Sequence, residues 1–454
     1  MNDYDVIVAG GGPGGSTAAA FTAMDGHRVL LLEKETFPRY QIGESLLPAT
    51  IHGICAMLGL RQEIQRAGFV VKRGGTFRWG ADPEPWTFAF AASPRMAGPT
   101  SFAYQVERSR FDTLLLDNAR RLGVDVRHRH RATGAIRDGG RVVGVRYVDH
   151  AGREQVSTAR FVVDASGHGS RLHEAVGGRR EYSPYFRNLA LFGYFLDGGR
   201  MPDPNAGNIL CAAFSDGWFW YIPLSATLTS VGAVVRHEAA AAVQGDPETA
   251  YAALIDRCPL IKDLLRDARR AEDPPYDRLR VRKDYSYDRT VLWCPGMALV
   301  GDAACFIDPV FSSGVHLATY SGLLAARSIN SALAGLVPED RCFTEFEARY
   351  RREFGLFRDF LLAFYRLDTD EQSYYGQASQ VSGHPGAGRE AFLDLVGGVT
   401  ASDFSRRILD DVLAEGAELQ LRGVLGDAAG DEPPMFPGGL IPSPDGRRWV
   451  EPDV

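Results

Sequence analysis

The clearest chemistry in the sequence stands at its start, in Gly10-Gly11-Gly12-Pro13-Gly14-Gly15. Gly10, Gly12 and Gly15 satisfy the spacing G-x-G-x-x-G. The first allows a tight turn, the second lets the backbone approach a pyrophosphate, and the third lets a helix pack closely on a strand. A helix beginning there aims unpaired N–H groups and a positive dipole end at phosphates. Glu33 follows about 20 residues on, where a carboxylate can hold a ribose hydroxyl pair. A ligand-free glycine turn is the bland alternative. The apolar run before the cluster, the Ala-rich run after it and the acid beyond all argue against that. The cradle suits a dinucleotide and does not by itself distinguish FAD from NAD. His128-Arg129-His130 offers two histidines with no nearby acid or cysteine, which reads as a solvated strand, so no metal site is expected. The six cysteines contain no Cys-x-x-Cys pair and read as reduced core thiols. Ser-x-x-Lys and Gly-x-Ser-x-Gly elbows are absent, which removes support for a serine hydrolase.

The elements that must position this cradle can be read from periodicity. Residues 4–9 form a short apolar run, as a buried parallel strand does, and 27–33 form a second. With the intervening helix they make a βαβ unit of the Rossmann type. Helices are predicted at 47–58, 109–122, 314–334 and over much of 340–367. Strands are predicted across 124–164, with a hairpin turn at Asp138-Gly139-Gly140, and at 187–196, 207–214, 218–223, 228–235 and 297–300. The mixture implies a mixed α/β (α+β) chain. Its expected parts are a discontinuous nucleotide domain (1–69, 108–175, 285–335), an antiparallel-sheet substrate domain (70–107, 176–284) and a C-terminal helical region (336–425). A poorly packed tail is expected from 426 to 454.

Three further segments bear a resemblance. Asp164-Ala165-Ser166-Gly167 ends a strand. Gly301-Asp302 ends another and leads to Pro309. Gln105-Val106-Glu107-Arg108 runs into a helix. Their order is similar to that of the FAD-dependent aromatic hydroxylase superfamily. The resemblance implies FAD as cofactor, with Asp302 on the ribityl chain, Arg108 against the cofactor and Pro309 beginning the stretch beneath the flavin ring.

Within that superfamily the chain resembles flavin-dependent halogenases of the phenol and pyrrole type. Trp218-Phe219-Trp220-Tyr221-Ile222-Pro223 matches their Trp-x-Trp-x-Ile-Pro signature, although alternating large residues are also what a buried strand carries. Val71-Lys72-Arg73-Gly74-Gly75 is similar to the segment whose lysine lies between flavin and substrate, although most lysines are solvated. Asp308-Pro309-Val310-Phe311-Ser312-Ser313-Gly314 is similar to the family's halide stretch. The resemblance implies catalytic roles for Lys72, Trp218, Trp220 and Ser312, and chloride on the backbone amides of Ser313 and Gly314. It implies a flavin hydroperoxide that converts chloride to hypochlorous acid, which the lysine relays. Phe311 stands where tryptophan-type members carry a glutamate, which argues against their mechanism. Tyr40 to Pro48, Arg280 to Tyr287 and Gly314 to Tyr320 look close to the tyrosyl halogenases of glycopeptide-antibiotic assembly. That likeness implies a tyrosine-like phenol on a peptidyl carrier protein in nonribosomal peptide biosynthesis, and FADH2 delivered by a separate reductase. Arg351, Arg352 and Arg358 are candidates for docking an acidic carrier. A flavin aromatic hydroxylase and a non-catalytic flavin-binding protein remain open alternatives.

The bulk properties fit this reading. The chain has 454 residues, 45% apolar and 24% charged, with a formal charge of -7. That balance argues against nucleic acid as a partner. No uncharged apolar run reaches a membrane span, and the N-terminus lacks the basic start of a signal peptide, so a cytoplasmic location is expected.

Overall fold

In a computed structural model, the chain is described over residues 2–80, 84–366, 371–382, 388–400 and 434–452. Strand β1 (Tyr4–Ala9), helix α1 (Pro13–Met24) and strand β2 (Val29–Glu33) form the predicted βαβ unit. Their apolar residues are buried because the parallel sheet is covered on both faces. β1 lies parallel to Glu154–Asp164 on one side and to β2 on the other, and the sheet continues outward to Met297–Leu299 and Asp125–His128. Helices Arg108–Arg121 and Gly314–Ala334 pack against α1. The turn Asp138-Gly139-Gly140 joins Arg131–Asp138 to Arg141–Val148, with both glycines at positive φ as a tight hairpin needs.

A second sheet runs in the order Arg269–Arg270, Arg180–Leu196, Leu228–Val235, Gly217–Pro223, Ile209–Phe214, Gly74–Arg78 and Trp86–Ala89, with Arg280–Arg289 also on Arg180–Leu196. Its pairs are antiparallel except Ile209–Phe214 on Gly74–Arg78. The chain therefore has the mixed α/β architecture expected, with two long helices, Gly314–Ala334 and Glu339–Phe364, toward its C-terminal side.

Three departures have physical causes. The 47–58 segment is a wide helical coil at Ala49–Cys55, not a regular α-helix. The strand expected at 187–196 begins at Arg180, because Arg280–Arg289 pairs with it on both sides of an irregular stretch at 183–186. The predicted loose tail is the largest departure. Residues 426–433 lie outside the described residues, but 434–452 are anchored. Trp449 is fully buried, its indole donates to Ser328 Oγ, and its backbone amide donates to Ser331 Oγ. Arg327 and Arg349 lie over its ring and donate to the carbonyls of Gly446 and Leu440. A single tryptophan with two arginine partners gave no periodicity to read. Among the described residues no helix is long and apolar enough to cross a membrane.

Candidate functional site

The glycine cluster closes one end of a cavity of about 510 Å³, well inside the usual range for small-molecule sites. Gly10 has φ +107°, and a Cβ there would lie 2.3 Å from the Ala165 carbonyl oxygen. A Cβ on Gly15 would lie 1.9 Å from the Gly10 oxygen, so the helix can start this close to β1 only without a side chain. Above Gly12 a Cβ would meet only the flexible end of Arg39, which leaves the α1 N-terminus open to the cavity. Glu33 is held at the second strand's end. Its two carboxylate oxygens accept the amides of Gly11 (2.6 Å) and Glu35 (2.8 Å).

Asp302, Pro309, Arg108 and Glu33 line the same cavity. Burial pushes the Asp302 carboxyl up to about 6, against the opposing pull of Arg108 and Arg282. Arg108 is itself buried. It donates to both oxygens of Asp112 (2.7 and 2.9 Å) and to the carbonyls of Ile42 (2.7 Å) and Gly43 (3.2 Å). Its clearest work is therefore to fix the segment 41–45 along the cavity wall. Asp164 ends its strand with its carboxylate bonded to Ser166 and Ser170, a staple of the turn.

At the other end the second sheet supplies Trp218 and Trp220, two residues apart and so on one face of their strand. Both rings line the cavity and are nearly fully buried. The Trp218 indole donates to the Tyr365 hydroxyl (2.7 Å), which donates to Asp308 Oδ2 (2.7 Å), and Asn188 also holds that oxygen (3.0 Å). The Trp220 indole donates to Ser230 Oγ (3.1 Å).

Lys72 lies one layer behind the wall. Only 3% of its surface is exposed. Its Nζ donates to Ser45 Oγ (2.9 Å), the Leu46 carbonyl (3.0 Å) and Ser312 Oγ (3.4 Å), and Ser45 and Ser312 both line the cavity. Burial lowers its ammonium to about 7, because no carboxylate compensates the lost hydration. Ser312 has φ +60°, a left-handed conformation that costs on the order of 1 kcal/mol in a residue other than glycine and turns its hydroxyl toward the lysine. Ser313 occupies the position before the helix Gly314–Ala334 without a side-chain capping bond, and Gly314 opens directly onto the cavity. Nothing would lie within 4 Å of a Cβ on Gly314. The free amides of this helix start suit an anion. Phe311 is buried against Phe360 and Phe364, an apolar contact with no acid in it.

The structure thus brings together Gly10, Gly12, Gly15, Glu33, Arg108, Asp302, Pro309, Lys72, Trp218, Trp220, Ser312, Ser313 and Gly314 around or just behind one cavity. Sequence reasoning missed Ser45, whose hydroxyl holds Lys72, and the pair Asp308–Tyr365 behind Trp218. The Tyr40-to-Pro48 segment stands out in the sequence, but contacts between residues 27 to 240 positions apart leave no local trace. Two of the three arginines that were candidates for docking are already paired: Arg351 with Asp288 and Glu347, and Arg358 with Asp359. Among the described residues no group of three or more His, Cys, Asp or Glu could hold a metal.

Comparison with known proteins gives three kinds of match. A model of the tryptophan halogenase family covers residues 5–97 and 92–407. A tryptophan 2-halogenase of Chondromyces crocatus is 34% identical over 83% of this chain and 70% of its own length. A 1H-pyrrole-2-carbonyl-[peptidyl-carrier protein] chlorinase of Pseudomonas fluorescens is 29% identical over 81% of this chain and 84% of its own. The solved structure of the myxobacterial chondrochloren halogenase CndH, a FAD-dependent halogenase, superposes with a TM-score of 0.81 at 54% identity. That match covers 98% of this chain and 99% of that one.

Proposed function

The chain belongs to the tryptophan halogenase family of flavin-dependent enzymes, and on that premise we propose that it uses FADH2, oxygen and chloride to chlorinate a tyrosine-like phenol carried on a peptidyl carrier protein. The observation that carries this reading is the buried Lys72 amine held by Ser45 and Ser312 at the cavity wall.

The residues present fit FAD. The open glycine cradle and α1 N-terminus would take the pyrophosphate, Glu33 the ribose, and Asp302 the ribityl chain, with Arg108 and Pro309 framing the ring. Bound reduced FAD would supply the two electrons that bring oxygen to the peroxide level, at which it can oxidise chloride to hypochlorous acid. The one G-x-G-x-x-G fingerprint is spent on this cavity, which supports delivery of FADH2 by a separate reductase. The Ser313 and Gly314 amides would hold chloride. Trp218 and Trp220 form a wall that keeps an aromatic ring from the flavin side. Lys72 meets hypochlorous acid. In its ammonium form it hydrogen-bonds the oxygen and assists departure of water; in its amine form it can carry the chlorine. A group titrating near 7 has both forms at hand.

One observation favours a phenol. Phe311 sits in an aromatic contact where an acid would be needed to activate an unassisted ring. A phenol needs none, since its oxygen already enriches the ring. Tethering is supported by the carrier-bound pyrrole named for the Pseudomonas relative. The test offers pre-reduced FAD, oxygen and chloride with tyrosyl-carrier protein, free tyrosine or free tryptophan, read by mass. Replacement of one hydrogen by chlorine on the carrier-bound ring is expected. Addition of one oxygen would indicate hydroxylation instead, and equal turnover of a free amino acid would remove the carrier.

A further inference from the structure

One buried acid on the cavity wall has no part in the chemistry above. Glu44 is 2% exposed and lines the cavity. Its Oε1 accepts the Tyr194 hydroxyl (2.9 Å), and that hydroxyl shares a 2.7 Å hydrogen bond with the hydroxyl of Tyr40. The Ser230 hydroxyl lies close enough to favour the charged carboxyl, but Oε2 accepts no well-formed hydrogen bond. A buried carboxyl oxygen without a partner costs a few kcal/mol, and a carboxyl placed only for stability would have two. Tyr194 is fully buried, whereas Tyr40 is half-buried at the cavity rim with the Arg280 guanidinium 4.0 Å above its ring. The three groups therefore run as one hydrogen-bonded line from the rim to an oxygen with a free site.

Chlorination requires such a line. Reduced FAD, oxygen, chloride, one proton and an aromatic C–H become oxidised FAD, an aryl chloride and two waters. Two electrons come from the flavin, and two from chloride and the ring together. One proton must enter with each chloride. We propose that Glu44, Tyr194 and Tyr40 are the route by which that proton reaches the cavity. The proton leaves Glu44 Oε2. Oε1 takes the proton of Tyr194, Tyr194 takes that of Tyr40, and Tyr40 takes one from water. A half-turn of the carboxyl resets the line. This rests on the chlorinating reading above.

The electrostatics agree. Burial raises the Glu44 carboxyl to about 7, so it holds a proton and releases it near neutrality. The Ser230 hydroxyl from strand Leu228–Val235, the Tyr194 hydroxyl and Arg108 favour its charged form, and Glu107 opposes it. Tyr276 packs against Tyr194 with the two rings tilted and donates to Glu107 Oε2. Burial lifts both relay phenols above their ordinary range, so they pass protons without ionising.

Glu44→Gln keeps the shape and the acceptor for Tyr194 but carries no proton. Infrared titration of the full chain, with and without oxidised FAD, reads the group directly. A protonated carboxyl that disappears near pH 7 in the wild type and is missing in Glu44→Gln is expected. At saturating reduced flavin, oxidised chlorine trapped on an added amine should fall about 100-fold in Glu44→Gln. Tyr194→Phe should keep the infrared band but slow the reaction and lose its solvent deuterium effect; it also serves if the first variant fails to fold. No change in the infrared titration in Glu44→Gln, or wild-type chlorine yield from both variants, overturns the relay. Absence of oxidised chlorine with the wild type sinks the chlorinating reading instead.

Discussion

At the scale of single residues, Lys72 shows how burial and chemistry meet. The folded chain releases the Lys72 proton near 7, and an exposed lysine does so near 10.5. Between those values the unfolded chain binds the extra proton, so this group makes stability rise with pH across that window. Below pH 7 the cost is complete, on the order of 5 kcal/mol if nothing relaxes. Lys72→Met should therefore be more stable than the wild type at pH 6, and the two should converge toward pH 10 in thermal unfolding. The same variant should bind FAD and consume oxygen with FADH2, yet lose chlorination by at least about 100-fold. A parallel pH dependence of melting in the two proteins would place the amine in water.

At the scale of elements, the register of two strands decides where the indole wall stands. Gly217–Pro223 pairs with Leu228–Val235 so that Trp220 lies opposite Gly232. A Cβ on Gly232 would come within 2.2 Å of the Trp220 ring. Glycine is otherwise a poor choice inside a strand; here it leaves room for the indole. Gly232→Ala should push Trp220 into the cavity, weakening FAD binding by about 10-fold or more and diverting oxidant to peroxide, as flavin fluorescence and a peroxide assay would show. Gly232→Ala with Trp220→Phe should recover part of the FAD affinity. Unchanged binding in the single variant would mean the sheet yields at no cost to the site.

At the scale of the whole molecule, the helix that offers Gly314 to the cavity is secured 20 Å or so away at its other end (about 1.5 Å per residue) by the segment 434–452. Trp449 fills the space beside Ser328 and Ser331, and Glu345 accepts the Leu440 amide. Trp449→Ala leaves a cavity and two buried arginines without their ring, and should cost about 3–5 kcal/mol, read as a fall in the denaturation midpoint. Truncation after residue 433 should cost at least as much. Loss of neither would restore the loose tail that composition alone suggested.

The sequence by itself determined the elements and the ligand cradle, because both are written in local patterns. The fingerprint around Gly10 to Gly15, the apolar runs of β1 and β2, the paired glycines at 139–140 and the helix at 314–334 all stand close to where periodicity places them. Their physics acts over a few residues. Resemblance then pointed to Lys72, Trp218, Trp220 and the 312–314 turn, but it could not say what each touches. Only the tertiary structure decided that Lys72 is buried on Ser45 and Ser312, that Arg108 clamps Ile42 and Gly43, that Glu44 faces the cavity at the end of two tyrosines, and that Trp449 closes the far end of a helix. Each of these depends on desolvation and hydrogen bonding between residues distant in the chain, and neither quantity exists until the sheets and helices have packed.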